Sequence, residues 1–310
     1  MTSVSVVIPT HNPKRKFFLR VLDSLKKQTL DQSGWELLVV DNNSAEKVSE
    51  TYDLSWHSSA KHISENRIGL TNARLRGIRE SIGEIIVFVD DDTLLAPDYL
   101  EKAAWIAKEW PFIGAWGGSV VPEFEIPPPT WTKNDIWRLT VVDVPRDIWS
   151  NIYENFETVP VGAGMCIRKC VVEYYLQRCD HSPYASLDRS GTFLAGYGDI
   201  DLALCAVDLG LGTARSTKLS LRHLIPSSRL TIEYFTRHAE GDAASLLVFR
   251  AMRGLPLNYD GKPGFLKQLA LRFHYLRNKI SKEGKLIHQA HMRGLEMGYQ
   301  TVLRLSKKDF

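Results

Sequence analysis

IIVFVDDDTLLAPDYL, residues 85–100, drives an apolar strand pattern straight into three consecutive aspartates. A run of five apolar residues reads as a strand covered by packing, and it ends where charge begins. Three adjacent carboxylates repel one another unless water surrounds them or a cation sits among them. Extended backbone sends successive side chains to opposite sides, so Asp90 and Asp92 share one side while Asp91 takes the other. Hard oxygen donors of this kind select Mg²⁺ or Mn²⁺, and a site with few protein carboxylates leaves positions open for diphosphate oxygens. The competing reading is a solvated acidic turn that caps the following helix, with Asp92 and Thr93 near its start.

Upstream of this stretch, residues 4–8 and 35–40 are apolar runs, and residues 17–27 carry apolar positions at helical spacing. Residues 72–81 read as a helix, 84–89 as a strand and 97–110 as a further helix. Strands alternating with helices predict a parallel sheet, whose ligands bind at the carboxyl edge. Three segments fall at such edges: PTHN at 9–12, DNNS at 41–44, and the aspartates. No glycine-rich loop follows the first strand, so neither a dinucleotide fingerprint nor a Walker loop is present. A nucleotide bound here needs another device for its phosphates, and a metal on acidic residues would serve.

The chain has 310 residues, 44% of them hydrophobic, which is enough for a sizeable core. Its 39 basic and 36 acidic residues leave a net charge of +3, too small to argue nucleic-acid binding. Four unevenly spaced cysteines without a CxxC pair suit a reducing compartment better than a disulfide framework or a zinc site. The N-terminus enters a strand pattern at once, and no apolar run reaches the roughly 18 residues that span a bilayer. A cytoplasmic chain is expected, soluble or peripheral on the inner membrane face.

From Gly114 the composition turns to glycine, proline and tryptophan, and residues 122–152 are expected to be a long irregular, functional segment. Residues 159–167 read as a strand, 196–210 as a loop entering a helix, and the remainder from about Thr231 as helical. Residues 262–285 interleave Lys267, Arg272, Arg277, Lys279, Lys282 and Lys285 with Phe265, Leu269, Phe273, Tyr275, Leu276 and Ile280. A basic amphipathic helix can rest on an anionic membrane surface, although such a run is commonly a solvated face above a packed stripe.

Taken in order, VSVVIPTHN, VVDNNS, NRIGLTNARLRGI, FVDDDTLLAPDYL, VGAGMCIRK and GYGDIDLALCAVDLG resemble family 2 glycosyltransferases of the GT-A fold, over roughly residues 3–225. The resemblance implies an α/β, GT-A-type nucleotide-binding sheet flanked by helices, a nucleotide-sugar donor (a UDP-sugar), Mn²⁺ or Mg²⁺, and inverting transfer. It divides the chain into a catalytic domain over 1–230, with a donor half at 1–113 and an acceptor half at 114–230, and a helical C-terminal extension over 231–310. Residue by residue it implies that Pro9, Thr10 and Asn12 line the donor pocket and that Asp41 reads the base, where a helix cap is the plainer alternative. Arg74, Asp90 and Asp91 would contact the donor, and Asp92 and His223 the metal. Asp199 would be the catalytic base, where a helix-start carboxylate favoured by the dipole is the alternative. Gly162, Gly164 and Asp201, the last with a structural helix-start role as its alternative, would face the acceptor, a saccharide or a lipid-linked sugar in surface polysaccharide or glycolipid assembly. Trp116 opens the tryptophan and proline segment between the metal and base motifs, whose rings could pack on sugar faces of the acceptor or simply pack in the core. Gly198 stands where the family usually has a glutamate, which removes one carboxylate from the acceptor side. Two other functions compete: a sugar-nucleotide nucleotidyltransferase, for which the first loop lacks glycine, and a catalytically silent nucleotide-binding scaffold.

Overall fold

The computed structural model describes residues 3–180, 196–259, 261 and 281–306. It divides into two compact units, one of Met1–Glu123, Thr140–Asp188 and Gly198–Ile225, the other of Phe124–Leu139, Arg189–Tyr197 and Pro226–Phe310.

The first unit holds one mixed sheet. Its strands are β1 Val4–Thr10, β2 Trp35–Asp41, β3 Ala60–Ser64, β4 Ile85–Phe88, β5 Thr93–Leu95, β6 Ile113–Phe124, β7 Ile148–Ser150, β8 Cys166–Arg168 and β9 Gly212–Ile225. The helices of this unit are α1 Arg15–Lys26, α2 Val48–Thr51, α3 Leu70–Glu80, α4 Tyr99–Glu109, α5 Lys169–Asp180 and α6 Gly198–Asp208. The strand order is β3-β2-β1-β4-β8-β6-β9-β5, with β7 added on β9. β1 to β4 are parallel neighbours, whereas β8 runs antiparallel to both β4 and β6. The chain therefore builds outward from β1 through β2 to β3 and then returns to place β4 on the other side of β1. That reversal is a switch point, where the loops leaving the two strands diverge and open a crevice.

Every residue of β1 is buried, and β2 is buried through Val40, as strands covered on both faces must be. α1 packs Phe17, Phe18, Val21, Leu22 and Leu25 into the core, the one-faced stripe of an amphipathic helix. α3 lies closer still: a Cβ built on Gly77 would come within 2.3 Å of Val7 Cγ1 and 3.3 Å of Val40 Cγ2. Only a residue without a side chain allows that approach.

The glycine and tryptophan segment departs from expectation. β6 continues through Pro122 to Phe124, and the irregular stretch begins only afterwards, with short 3₁₀ turns at Thr130–Asn134 and Ile136–Leu139. Gly118 belongs to the strand because a Cβ there would lie 2.0 Å from the Leu219 carbonyl oxygen of β9. Within residues 159–167 only Cys166 and Ile167 are strand.

In the second unit, α7 Ile232–Met252 packs against α8 Lys282–Ser306. Gly294 and Gly298 of α8 face the backbone of Glu240 and Ala244, where a Cβ would come within 2.1 and 2.6 Å of carbonyl oxygens. Lys267, Arg272, Arg277 and Lys279, with the apolar residues between them, lie outside the described residues. Among the described residues no helix is long and apolar enough to cross a membrane.

Two predictions follow from packing in the first unit. Gly77→Ala is expected to destabilise the chain by about 1–3 kcal/mol through overpacking against β1, read as a lower urea midpoint; an unchanged midpoint would contradict the close approach. His57 packs edge-on to Trp35 with ring centroids 4.1 Å apart, and burial holds its pKa and that of His62 below the ordinary imidazole value. The unfolded chain then binds protons more readily, so stability is full above about pH 6.5 and is lost as pH falls through the folded-state values. Replacing His57 by Phe should flatten the fall in urea midpoint between pH 7.5 and pH 5.5, and an unaltered slope would assign that fall elsewhere.

Candidate active site

The crevice between β1 and β4 is closed at its base by a hydrogen bond across the strand-order reversal. Thr10 Oγ1, at the end of β1, donates to Asp91 Oδ2 at 2.5 Å. Pro9, one residue earlier, is buried in β1 opposite Val40 of β2. The loops leaving β1 and β2 are stitched together: the Asn42 N–H donates to the Thr10 carbonyl at 2.8 Å, and the Asn12 N–H donates to Ser44 Oγ at 2.9 Å. Asn12 adopts a left-handed φ of 51° and accepts the Ala45 N–H at 2.8 Å through Oδ1. Asp41 accepts the N–H groups of Ser44 at 2.9 Å and Val48 at 3.1 Å, so its carboxylate fastens the loop leading into α2.

Around the aspartates, charge converges from three elements. Arg74, on the buried face of α3, brings Nη2 within 3.8 Å of Asp90 Oδ1 and its guanidinium over the Phe88 ring at 5.6 Å. Its Nε is buried without a hydrogen-bond partner. On the other side, Asp92 and His223 are both buried, with Asp92 Oδ2 and His223 Nε2 3.5 Å apart. The sheet itself makes this pair, because Thr93 of β5 stands opposite His223 of β9 and the Leu224 N–H donates to the Asp92 carbonyl at 2.8 Å. One carboxylate and one imidazole make a donor set suited to a Mn²⁺ or Mg²⁺ ion that keeps most of its positions for other oxygens. Among the described residues no group of three or more His, Cys, Asp or Glu side chains forms a closed metal cage.

Asp199 opens α6, where a carboxylate in the first turn is favoured by the helix dipole. Its Oδ2 accepts the Gly162 N–H at 2.9 Å. A Cβ on Gly162 would lie 2.6 Å from Arg74 Nη2 and 2.7 Å from Asp199 Oδ2. Gly162 is thus the point at which the arginine beside Asp90 and the α6 carboxylate both abut one stretch of backbone.

Three residues expected on the acceptor side sit elsewhere. Trp116 is fully buried in the core beneath the sheet, with the Arg168 guanidinium 5.8 Å from its ring, so it offers no sugar platform. Gly164 is a packing residue with φ of 73°; its carbonyl accepts the Tyr99 hydroxyl at 2.6 Å, and a Cβ would collide with Leu221. Asp201 is buried 3.7 Å from Arg178 of α5, which also pairs with Asp208 at 2.8 Å. Two helical positions beyond Asp199 the side chain has turned from the mouth of α6 toward α5, the geometry expected of a helix with 3.6 residues per turn. Trp149 stays exposed and packs at a tilt against Phe112, with ring centroids 4.9 Å apart. Asn42 is the residue that sequence reasoning passed over inside DNNS. Its signal was available only as an asparagine at a strand end, whose side chain can bond neighbouring backbone.

The model of glycosyl transferase family 2 matches residues 5–162, just over half of the 310 residues. Among curated proteins the chain is similar to the poly(ribitol-phosphate) beta-N-acetylglucosaminyltransferase TarS of Staphylococcus aureus, 29% identical over 112 residues, or 35% of this chain and 19% of that protein. It is also similar to the glucosyl-dolichyl phosphate glucuronosyltransferase of Haloferax volcanii, 26% identical over 143 residues and 45% of each chain. The matched part thus spans about a fifth of the first relative and under half of the second. The crystal structure of S. aureus TarS 1–349 in complex with UDP-GlcNAc shares the fold, with a TM-score of 0.51 at 16% identity over 93% of this chain and 79% of that one. With its family match running through the strands, loops and aspartates that build the crevice, the chain belongs to glycosyl transferase family 2.

Proposed function

We propose that this chain is a metal-dependent inverting glycosyltransferase that moves a sugar from a UDP-sugar to a hydroxyl of a saccharide or lipid-linked acceptor, in surface polysaccharide or glycolipid assembly. The observation that carries the reading is the meeting of Arg74 and Asp199 at Gly162, with Arg74 reaching Asp90 on its other side. Family membership and the UDP-GlcNAc held by the structurally similar TarS support the donor class.

On this reading Thr10, Asn12 and Asp41 frame the nucleoside end of the donor, and Asp90, Asp91 and Arg74 the sugar and diphosphate end. Asp92 and His223 would hold Mn²⁺ or Mg²⁺, which when bound would neutralise charge on the departing diphosphate. Asp199 accepts the proton of the acceptor hydroxyl as that oxygen attacks the anomeric carbon from the face opposite the diphosphate. The Gly162 N–H fixes the Asp199 carboxylate for that transfer, and the missing side chain at Gly162 lets Arg74 and Asp199 approach the same backbone. With glycine at 198, that position offers the acceptor no carboxylate.

Transfer should be assayed over a panel of UDP-sugars and oligosaccharide acceptors with Mn²⁺, following UDP release and the anomeric configuration of the product. Asp199→Asn is expected to lower turnover by about 10²–10⁴-fold, the usual worth of a positioned base, with UDP affinity retained. Full turnover in that variant would remove Asp199 from the chemistry. Gly162→Ala inserts a methyl group between Arg74 and Asp199 and is expected to lower turnover at least tenfold with the fold intact. Retention of the anomeric configuration would overturn the inverting assignment.

A further inference from the structure

Asn42 is buried at the junction of three loops and uses every polar atom it has. Its Nδ2 donates to the carbonyls of Glu65 at 3.0 Å and Arg67 at 2.7 Å, and its Oδ1 accepts the Gly69 N–H at 2.8 Å. Its backbone N–H donates to the Thr10 carbonyl, and its carbonyl lies 2.8 Å from His11 Nδ1. One residue just past the end of β2 therefore ties the end of β1, through its backbone, to the connection between β3 and α3, through its side chain.

That connection carries the start of α3, where the local side-chain bond from Asn72 Nδ2 to the Ile68 carbonyl, at 3.2 Å, is exposed and leaves the helix N–H groups uncapped. Gly69 is the cap residue, has a φ of 141°, and no side chain of its own segment caps the helix. Glycine alone adopts that backbone readily, so the turn is permitted by Gly69 but is not held there by it. The Gly69 N–H donates instead to Asn42, a buried bond from the segment that follows the neighbouring strand β2. Arg74 lies little more than one turn further along, on the buried face of the helix, and any shift of the helix start moves its guanidinium relative to Asp90 and Gly162.

We propose that Asn42 is a positioning residue: by holding the Gly69 backbone it sets where α3 begins, and so places Arg74 between Asp90 and Asp199. This rests on the glycosyltransferase reading of the site. An alanine at 42 leaves one N–H and two carbonyls without their partner. Aspartate keeps the acceptor for Gly69 but turns both donors into acceptors that face the carbonyls of Glu65 and Arg67.

The test is a double-mutant cycle on the full chain with Asn42→Ala, Arg74→Ala and both together, each checked for folded fraction by circular dichroism. kcat and KM are measured for the preferred UDP-sugar, and amide exchange is followed over residues 69–74. Asn42→Ala is expected to lower kcat/KM at least tenfold and to speed exchange at the start of α3. In the Arg74→Ala background it should change kcat/KM by less than twofold, because the group it positions is already gone. A residue that merely stabilised the fold would lower kcat/KM by the same factor in both backgrounds, and that result overturns the proposal. Unchanged exchange over residues 69–74 in Asn42→Ala overturns it independently of any activity. If the unaltered chain transfers no sugar from any UDP-sugar, the glycosyltransferase reading falls, and the placement of Arg74 for transfer falls with it. If Arg74→Ala impairs transfer while Asn42→Ala does not, the function stands and the positioning role alone is lost.

Discussion

The reversal of strand order at β1 is the constraint on which the site depends. Because β4 returns to the side of β1 opposite β2, the segments leaving these strands separate instead of running together, and the crevice between them receives Thr10 from one and the aspartates from the other. Everything that follows is a way of holding charge in that crevice. Three adjacent carboxylates at a strand end are electrostatically unfavourable alone. In this chain they are dispersed: Asp91 turns to Thr10, Asp90 to Arg74, and Asp92 to His223.

The partners come from distant sequence, and packing brings them in. Arg74 is buried on α3, a helix that Gly77, about one turn on, lets rest directly on the Val7 and Val40 side chains of β1 and β2. His223 meets Asp92 because β5 and β9 pair in the register that puts Thr93 opposite it. Asp199 arrives at the first turn of α6 and is fixed by the Gly162 N–H. A buried guanidinium is tolerated only with charged or polar company, and here Asp90 supplies it.

The alternating half of this arrangement was legible in the sequence. Apolar runs of four to six residues and helical spacing located β1, β2, β4, α1, α3 and α4 to within a few residues, since fully covered strands and one-faced helices leave strong periodic signals. β9 was missed, although its residues GTARSTKLSLRHLI are strand throughout, because charged residues interrupt its alternation and only long-range pairing holds it extended. The end of β6 reads as irregular because Pro122 opens a proline-rich stretch, and Gly117 and Gly118 give the rest of the strand no periodic signal, since the Leu219 carbonyl that demands a glycine at 118 is a hundred residues away in the chain. Asp90, Asp92 and Asp199 stand out as carboxylates at strand and helix ends, whereas Arg74, inside α3, is marked only by the resemblance; the fold brings Arg74 to Asp90 and to the Gly162 backbone that Asp199 also meets. Trp116, Gly164 and Asp201 were placed on the acceptor side by motif position alone, and motif position does not say which way a side chain turns. Asn42 illustrates the reverse: its importance lies in bonds to backbone atoms, which leave no mark on the residues at the other end.

The central claim is that the aspartate cluster and His223 form a nucleotide site completed by a divalent cation. The most direct test is a calorimetric titration of the full chain with UDP, GDP and CDP, each with and without Mn²⁺, repeated on Asp92→Ala. The account predicts binding of UDP that tightens at least tenfold with Mn²⁺, with the Mn²⁺ effect abolished in the variant. Binding of no nucleotide under any condition, or a Mn²⁺ effect that survives Asp92→Ala, would contradict it.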